Sequence, residues 1–170
     1  MEVIVRTETS NDYQAVFGLN AKAFGQENES RLVDALRKGD AFVPELSLVA
    51  EMNGKIVGHI LFTKIKIGNS KHESLALAPM AVAPDAQRQG VGSALMEAGL
   101  KKVAELGFDS VVVLGHEWYY PKFGFKPASN WSITTDYNSP ESTFAIEIKG
   151  SALQSVSGLV EYPKEFSIVS

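Results

Sequence analysis

The segment from Gln87 to Gly92 has the residue types and spacing of an anion-binding loop. Gly90 and Gly92 stand at the start of an apolar-periodic stretch, where the first backbone N–H groups of a helix have no partner inside it. Glycine lets an anion approach that backbone, the helix dipole favours negative charge, and Arg88 adds a positive charge. A plain strand-to-helix turn would also use these glycines, so that alternative stays open. On the first interpretation, a pyrophosphate is held by Gln87, Arg88, Gln89, Gly90, Val91 and Gly92.

Pro79 interrupts the apolar run 75–82, which otherwise has the composition of a central strand. Proline cannot donate a hydrogen bond to a sheet and is found at strand edges and bulges. We expect a bulge at which this strand separates from the next parallel strand, Ser110–Leu114. The alternative is an ordinary edge-strand proline. The gap would offer backbone groups to an amide-rich ligand on three residues: Met80, Ala81 and Val82.

Hydrophobic periodicity places both features in an alternating series of helices and strands. Helices are predicted over Tyr13–Phe24, 30–37 and 90–106, with a short one near 118–123. Strands are predicted over 2–6, 46–52, Lys55–Ile67, 73–82, Ser110–Leu114 and 143–148. Asn53-Gly54, between the second and third strands, is a strong hairpin signal. The order β-α-α-β-β-β-α-β-α-β predicts an α/β fold (layered α+β) with a mixed, centrally splayed sheet flanked by helices.

The length of 170 residues and the absence of repeats or linkers indicate a single domain. We expect one domain over residues 1–150 and a C-terminal tail over 151–170 that packs on it. The tail carries apolar residues that would anchor it: Leu153, Val156, Leu159 and Phe166.

The composition excludes several classes of protein. With no Cys there is no disulfide or sulfur-ligated zinc, and His59, His72 and His116 are too far apart for helical ligand spacing, so we expect no metal. A net charge of −4 argues against a general nucleic-acid binder. No apolar stretch approaches the roughly 20 residues that span a bilayer, and the first residues lack a signal-peptide pattern. We expect a cytoplasmic protein, with a homodimer possible through the exposed edge of strand 143–148 or the tail.

Two motifs in this chain resemble those of the GNAT acetyltransferase superfamily, and most closely its YhbS-like branch. The acetyl-CoA motif of that family, Gln/Arg-x-x-Gly-x-Gly/Ala, is matched by Gln87, Gly90 and Gly92. A second motif, Tyr-x-Lys/Arg-x-Gly-Phe, is matched from Tyr120 to Phe125. The order of elements also agrees over about residues 2–148. The resemblance implies an acetyl-CoA-dependent N-acetyltransferase that moves an acetyl group directly to a primary amine of a small molecule or peptide.

The resemblance also implies roles for individual residues. Residues 88–93, which end at Ser93, would hold the CoA pyrophosphate, and the 80–82 backbone would pair with pantetheine. Tyr120 would lie near the CoA sulfur as the general acid, with Tyr119 as the neighbouring candidate. Backbone N–H groups between Met80 and Val82 would polarise the thioester carbonyl.

A general base is not identified by the sequence. Many members of the superfamily carry a Glu on the strand before the phosphate loop, where this chain has Leu-Ala-Leu-Ala at 75–78. Acceptor specificity is expected from the segments 23–29, 65–72 and 126–142, because loops on a rigid scaffold carry specificity. Five residues remain candidates for the base: Glu29, His72, Glu73, His116 and Glu117.

Two other functions remain possible at this point. A non-catalytic acyl-CoA-binding or regulatory module would keep the cofactor site without turnover, consistent with the missing strand Glu. A dinucleotide oxidoreductase would place Glu117 on a ribose, although Leu95 occupies a position where the dinucleotide loop needs a small residue.

Overall fold

The computed structural model describes residues 2–137 and 140–169, and these residues form three α-helices and nine strands. The helices are α1 (Tyr13–Phe24), α2 (Asn28–Arg37) and α3 (Val91–Glu105). The strands are β1 (Ile4–Thr7), β2 (Phe42–Met52), β3 (Lys55–Ile67), β4 (Ser74–Val82), β5 (Ser110–Leu114), β6 (Lys126–Pro127), β7 (Ile133–Thr134), β8 (Thr143–Glu147) and β9 (Gly158–Glu161).

The main sheet has the strand order β1-β2-β3-β4-β5-β8-β6. Its neighbours are antiparallel except for β4 and β5, which run parallel. Away from this path, β9 pairs with the end of β3 and with β7. The prediction of a mixed sheet flanked by helices is therefore confirmed.

Local sequence signals explain how the elements begin and turn. Asn53 and Gly54 join β2 to β3 with φ values of 53° and 75°, the left-handed conformation that a two-residue hairpin turn requires. Thr9 and Asp12 form a reciprocal capping box just before α1. The predicted hairpin and the predicted first helix are both present.

The two faces of the sheet carry different helices. On the α3 face, Val91, Leu95 and Met96 belong to the same core cluster as the β4 residues Leu75 and Leu77. The opposite face, which we call the α1/α2 face, carries a cluster formed by α1, α2 and Phe166. Because side chains alternate along a strand, neighbouring residues of β4 face opposite clusters.

The start of α3 is held close to the sheet at Gly58 of β3. A Cβ placed on Gly58 would lie 2.7 Å from a Val91 methyl and 2.8 Å from a Leu95 methyl. A larger residue at Gly58 would push the helix away, so this contact fixes the N-terminus of α3 beside the end of β4.

The bulge predicted at Pro79 is present, and it opens the sheet. Ile60 pairs with Met80 but Phe62 pairs with Leu77, so Ala78 and Pro79 together oppose one residue of β3. On the other side, β4 pairs with β5 only from Ser74 to Leu77. Ser74 and Ser110 hydrogen-bond through their hydroxyls (2.7 Å) at the closed end, and the strands diverge beyond Leu77.

Three features differ from the sequence-based expectations. The short helix near 118–123 is a single 3-10 turn, Tyr120–Phe123. The segment 151–169 is not only a tail: it contributes β9 and a 3-10 helix, Lys164–Val169. The edge of β8 proposed for dimerisation is partly occupied, because β6 pairs with Phe144 and Ala145. The two-residue strand β6 therefore covers part of the β8 edge that the sequence predicted to be open.

Candidate functional site

The gap between β4 and β5 lies between two differently built regions. On the α3 face it is bordered by the start of α3 and by the turn Tyr120–Phe123. On the α1/α2 face it opens into a cavity. Residues of both regions are described in turn below.

The loop before α3 presents backbone donors in the predicted manner. Gly90 is the residue before the first helical turn and has φ of 84°, which an L side chain rarely adopts. The first α3 hydrogen bond runs from the Ala94 N–H to the Gly90 carbonyl (3.0 Å), and no side chain caps the helix. The N–H groups of Val91, Gly92 and Ser93 therefore have no partner within the helix.

Arg88 adds positive charge to this loop. Its backbone is also left-handed, with φ of 66°, and residues Gln87 to Gly90 are exposed. No carboxylate of residues 2–137 or 140–169 forms an ion pair with its guanidinium. Gln89 instead turns back and donates to the Asp85 carbonyl (3.2 Å). The loop therefore combines unpaired N–H groups with an unpaired cation.

The end of β4 offers peptide groups to the gap. The Ala83 N–H donates to the Val57 carbonyl of β3 (2.8 Å). Peptide groups alternate sides along a strand, so Ala81 also points to β3, whereas Met80 and Val82 point into the gap. Three residues were predicted to pair with a ligand. The backbone groups of Met80 and Val82 point into the gap, whereas those of Ala81 face β3 within the sheet.

Tyr120 lies on the α3 face, at the end of β5. Its ring packs edge-on against Phe125 (centroids 5.7 Å apart) and lies 6.4 Å from Phe144. A Cβ on Gly115 would collide with this ring, so a glycine there makes room for it. Burial, with a smaller contribution from Tyr119, raises the pKa of the Tyr120 hydroxyl to about 12. The phenol therefore keeps its proton at neutral pH.

Tyr119 reaches the start of α3. A Cβ on Gly92 would lie 2.8 Å from the Tyr119 hydroxyl, which places that hydroxyl against the first helical turn. Next to it, Trp118 is 67% exposed and stacks on His116, with ring centroids 5.4 Å apart. The Lys122 amine lies 5.0 Å from the Tyr119 ring centre. These side chains form an aromatic and cationic patch beside the loop before α3.

The cavity on the α1/α2 face, which we call the splay cavity, has a volume of about 300 Å³. Its floor is the diverging edges of the two strands, residues 76–78 and 112–114. Its walls come from α2, from the chain after β7 and from the segment after β9. The wall residues are Glu29, Tyr137, Tyr162, Phe166 and Val169.

Glu29 lines the splay cavity, unlike the other four candidates for a general base. Gln26 donates to its carboxylate (3.1 Å). His72 and Glu73 precede β4 and line a separate cavity of about 630 Å³ at the other end of the sheet. His116 and Glu117 are exposed on the α3 face, where His116 stacks on Trp118.

Two of the three segments expected to give acceptor specificity contribute to the splay cavity: Glu29 belongs to 23–29 and Tyr137 to 126–142, whereas no residue of 65–72 lines it. Sequence reasoning did not single out three further lining residues as neighbours of one cavity: Tyr162, Phe166 and Val169. Their spacing of four and three residues is a helical signal that could have indicated one shared face.

In the part of the chain that the structure describes, no three His, Cys, Asp or Glu side chains form a group suited to a metal ion. None of the helices in this part has the length and apolar character needed to cross a bilayer.

The geometry and the sequence agree with one family. The sequence profile of the acetyltransferase (GNAT) family matches residues 13–125, which include the bulge, the loop before α3 and the turn at Tyr120. The chain belongs to this family of acyltransferases. This membership replaces the dinucleotide-oxidoreductase alternative.

Two relatives from Escherichia coli K12 show how far the similarity extends. The chain is 38% identical over 134 residues to YjhQ, which is called an uncharacterised N-acetyltransferase; the match covers 77% of this chain and 74% of YjhQ. It is 30% identical over 167 residues to YhbS, also called an uncharacterised N-acetyltransferase, with 97% and 99% covered.

Solved structures extend the comparison to the fold. The crystal structure of Escherichia coli YhbS in complex with CoA matches with a TM-score of 0.92 at 27% identity, covering 98% of this chain and 93% of that one. A GNAT acetyltransferase from Brucella melitensis in complex with acetyl-CoA matches with a TM-score of 0.81 at 29% identity, covering 97% and 98%.

Proposed function

We propose that this acetyltransferase moves the acetyl group of acetyl-CoA directly to a primary amine. The observation that carries this proposal is the β4–β5 gap, which has an anion-binding loop on one side and a cavity with a carboxylate on the other. Donor and acceptor can approach the gap from opposite faces, so no covalent enzyme intermediate is needed.

Acetyl-CoA would bind on the α3 face. Its diphosphate would accept hydrogen bonds from the N–H groups of residues 91–93, with Gly90 allowing close approach and Arg88 supplying charge. Its pantetheine amides would pair with Met80 and Val82, whose peptide groups point into the gap. The similarity to YhbS, whose structure contains CoA, supports this placement.

The reaction then needs a neutral amine, a stabilised oxyanion and a protonated leaving group. The amine nitrogen attacks the thioester carbonyl, a C–N bond forms, and the carbonyl oxygen becomes negative while a backbone N–H of Met80 or Val82 donates to it. The C–S bond then breaks, and the thiolate takes the proton of Tyr120. The nitrogen loses its extra proton to Glu29, directly or through water, and proton exchange with solvent restores both side chains.

Tyr120 suits this role because its phenol carries a proton at neutral pH and can donate it as charge develops on the sulfur. Replacing Tyr120 with Phe removes only the hydroxyl, so we expect kcat to fall by about 100-fold while the KM for acetyl-CoA stays the same. CoA release in the presence of an amine measures both constants. Tyr13→Phe, a matched change on α1 away from the gap, should leave both unchanged.

The same assay separates catalysis from simple binding. A protein that binds acetyl-CoA but releases no CoA with any amine would be the non-catalytic module. If Tyr120→Phe and Tyr13→Phe turn over equally fast, Tyr120 is a packing residue and another group protonates the thiolate.

A further inference from the structure

We infer that the splay cavity takes a small monoamine with an apolar or aromatic body and without a carboxylate beside the amine, and that it excludes peptide and protein amines. This inference rests on the proposed function, because it assigns the acceptor of that reaction. It follows from the wall formed after β9, from the aromatic side chains that line the cavity, from the position of Glu29 and from the cavity volume.

The segment after β9 forms one wall of the cavity, through Tyr162, Phe166 and Val169. Phe166 is only 4% exposed and packs in the cluster formed by Leu32, Val33 and Leu36 of α2. Its ring centroid lies 5.0 Å from that of Tyr162. Since Phe166 is held in a core cluster, the wall is a fixed part of the fold. A folded protein surface cannot reach the β4–β5 gap through it without displacing that cluster.

The walls are aromatic and oriented by contacts. Tyr137 and Tyr162 pack edge-to-face with centroids 5.0 Å apart. Thr135 donates a hydrogen bond to the Tyr162 hydroxyl (3.3 Å), and burial raises the pKa of that phenol above its ordinary value. The rings therefore offer neutral faces and edges to an apolar body.

The cavity has one charged side chain among its lining residues, Glu29. An ammonium group gains a partner there, and after attack on the thioester the nitrogen can lose its extra proton to the same carboxylate. A polyamine would bring a second ammonium with no carboxylate to pair it, which is costly away from water. An amino acid would bring its own carboxylate next to Glu29, and like charges repel.

The volume limits the size of the acceptor. A cavity of about 300 Å³ is at the small end of ligand pockets. It equals the liquid volume of about ten water molecules, so it holds about ten non-hydrogen atoms. A phenylalkyl amine such as phenethylamine has about that number, and its shape places an amine at one end of an aromatic body.

The test compares acceptors that differ in one property. Phenethylamine is set against phenylalanine, which adds a carboxylate, against spermidine, which adds ammonium groups, and against a short lysine peptide. CoA release is measured at saturating acetyl-CoA. We expect kcat/KM for phenethylamine to exceed that of each of the other acceptors at least tenfold.

A pair of variants tests the place of binding. Val169 lines the cavity, so Val169→Trp should fill it and lower kcat/KM for phenethylamine at least tenfold, with the dissociation constant of acetyl-CoA unchanged. Ile168→Trp at the neighbouring position is the control, because Ile168 is 36% exposed and is not among the cavity residues. Saturation-transfer NMR of phenethylamine with the CoA complex measures binding without turnover.

Each result decides a separate point. Equal or better turnover of phenylalanine, spermidine or the peptide overturns the inference but leaves the acetyltransferase proposal standing. So does an equal response of Val169→Trp and Ile168→Trp. If no acceptor releases CoA, the proposed function fails, and the NMR experiment still decides the cavity: no saturation transfer to phenethylamine overturns the inference as well.

Discussion

The α3 face and the splay cavity bind by different chemical means. The loop before α3 and the end of β4 would hold their ligand through peptide groups, with side chains playing a small part. The splay cavity would instead bind through side chains, because its walls carry Glu29 and three aromatic rings. Recognition by the backbone depends on conformation, whereas recognition by side chains changes with each substitution. The α3 face would therefore suit a donor that stays the same when side chains change. The splay cavity would suit an acceptor that changes with its side chains.

The largest effect is expected from a change of backbone and charge on the α3 face. Gly90→Glu brings a negative charge beside the diphosphate and a side chain into a position with φ of 84°. We expect acetyl-CoA affinity to fall at least 100-fold, measured by calorimetry. Gly90→Asn is the control of similar size, because Asn tolerates left-handed backbone and is neutral. An equal loss for Asn would mean that the bulk of a side chain beside the diphosphate, and not its charge, lowers the affinity.

A second prediction concerns the α1/α2 face, where His59 follows Gly58 on β3 but points away from α3. His59 is fully buried, its Nε2 lies 3.0 Å from the Ser47 hydroxyl, and its Nδ1 faces Asn20. Burial lowers its pKa from 6.5 to about 4, with Glu8 acting to raise the pKa and Arg37 to lower it further.

This depressed pKa makes stability depend on pH with a definite sign. The neutral imidazole is favoured in the folded state, so its contribution is complete above pH 6.5 and is lost as the pH falls through 4. We expect the free energy of unfolding to drop by about 2 kcal/mol between pH 7 and 4.5, measured by urea titration. His59→Gln should reduce this dependence of the free energy of unfolding on pH. Asp12, whose pKa Arg6 holds at about 2, titrates below this window. If the free energy of unfolding of His59→Gln falls with pH as steeply as that of the wild type, other titrating groups cause the loss of stability.

The smallest effect is expected from Glu29→Gln, which tests the side-chain half of the comparison. The amide keeps the size of the carboxylate but cannot accept the amine proton. We expect kcat/KM for the amine to fall at least about tenfold, with the KM for acetyl-CoA unchanged. Glu27→Gln is the matched control, because Glu27 pairs with Arg31 at the surface. If both substitutions had the same effect, the loss would come from removing negative charge near α2 and not from removing a proton acceptor in the cavity.

The same comparison explains what could be predicted from the sequence. The α3 face is built from short contiguous motifs, so the loop at Gly90 and the bulge at Pro79 were each readable in local spacing. Tyr120 was singled out by the resemblance of 120–125 to a family motif, and the sequence predicted a short helix there where the structure has a 3-10 turn. Helices and strands with clear periodicity, such as Lys55–Ile67 and Ser110–Leu114, were placed within their observed bounds.

The splay cavity could not be predicted because its walls are brought together by the fold. Glu29 meets Phe166 only because the segment after β9 packs on α2, and β9 reaches that position by pairing Glu161 with Lys66. No local pattern encodes such a pairing. The family match ends at residue 125, so of the wall residues it covers Glu29 but not Tyr137, Tyr162, Phe166 or Val169.

The position of Val169 has a practical consequence for handling the protein. A purification tag fused after residue 170 begins two positions after Val169, which lines the splay cavity. We expect such a tag to lower turnover of the acceptor while leaving acetyl-CoA affinity normal. A tag fused before residue 1 gives the comparison. Comparing the two fusions in an acceptor screen guards against mistaking an obstructed enzyme for an inactive one.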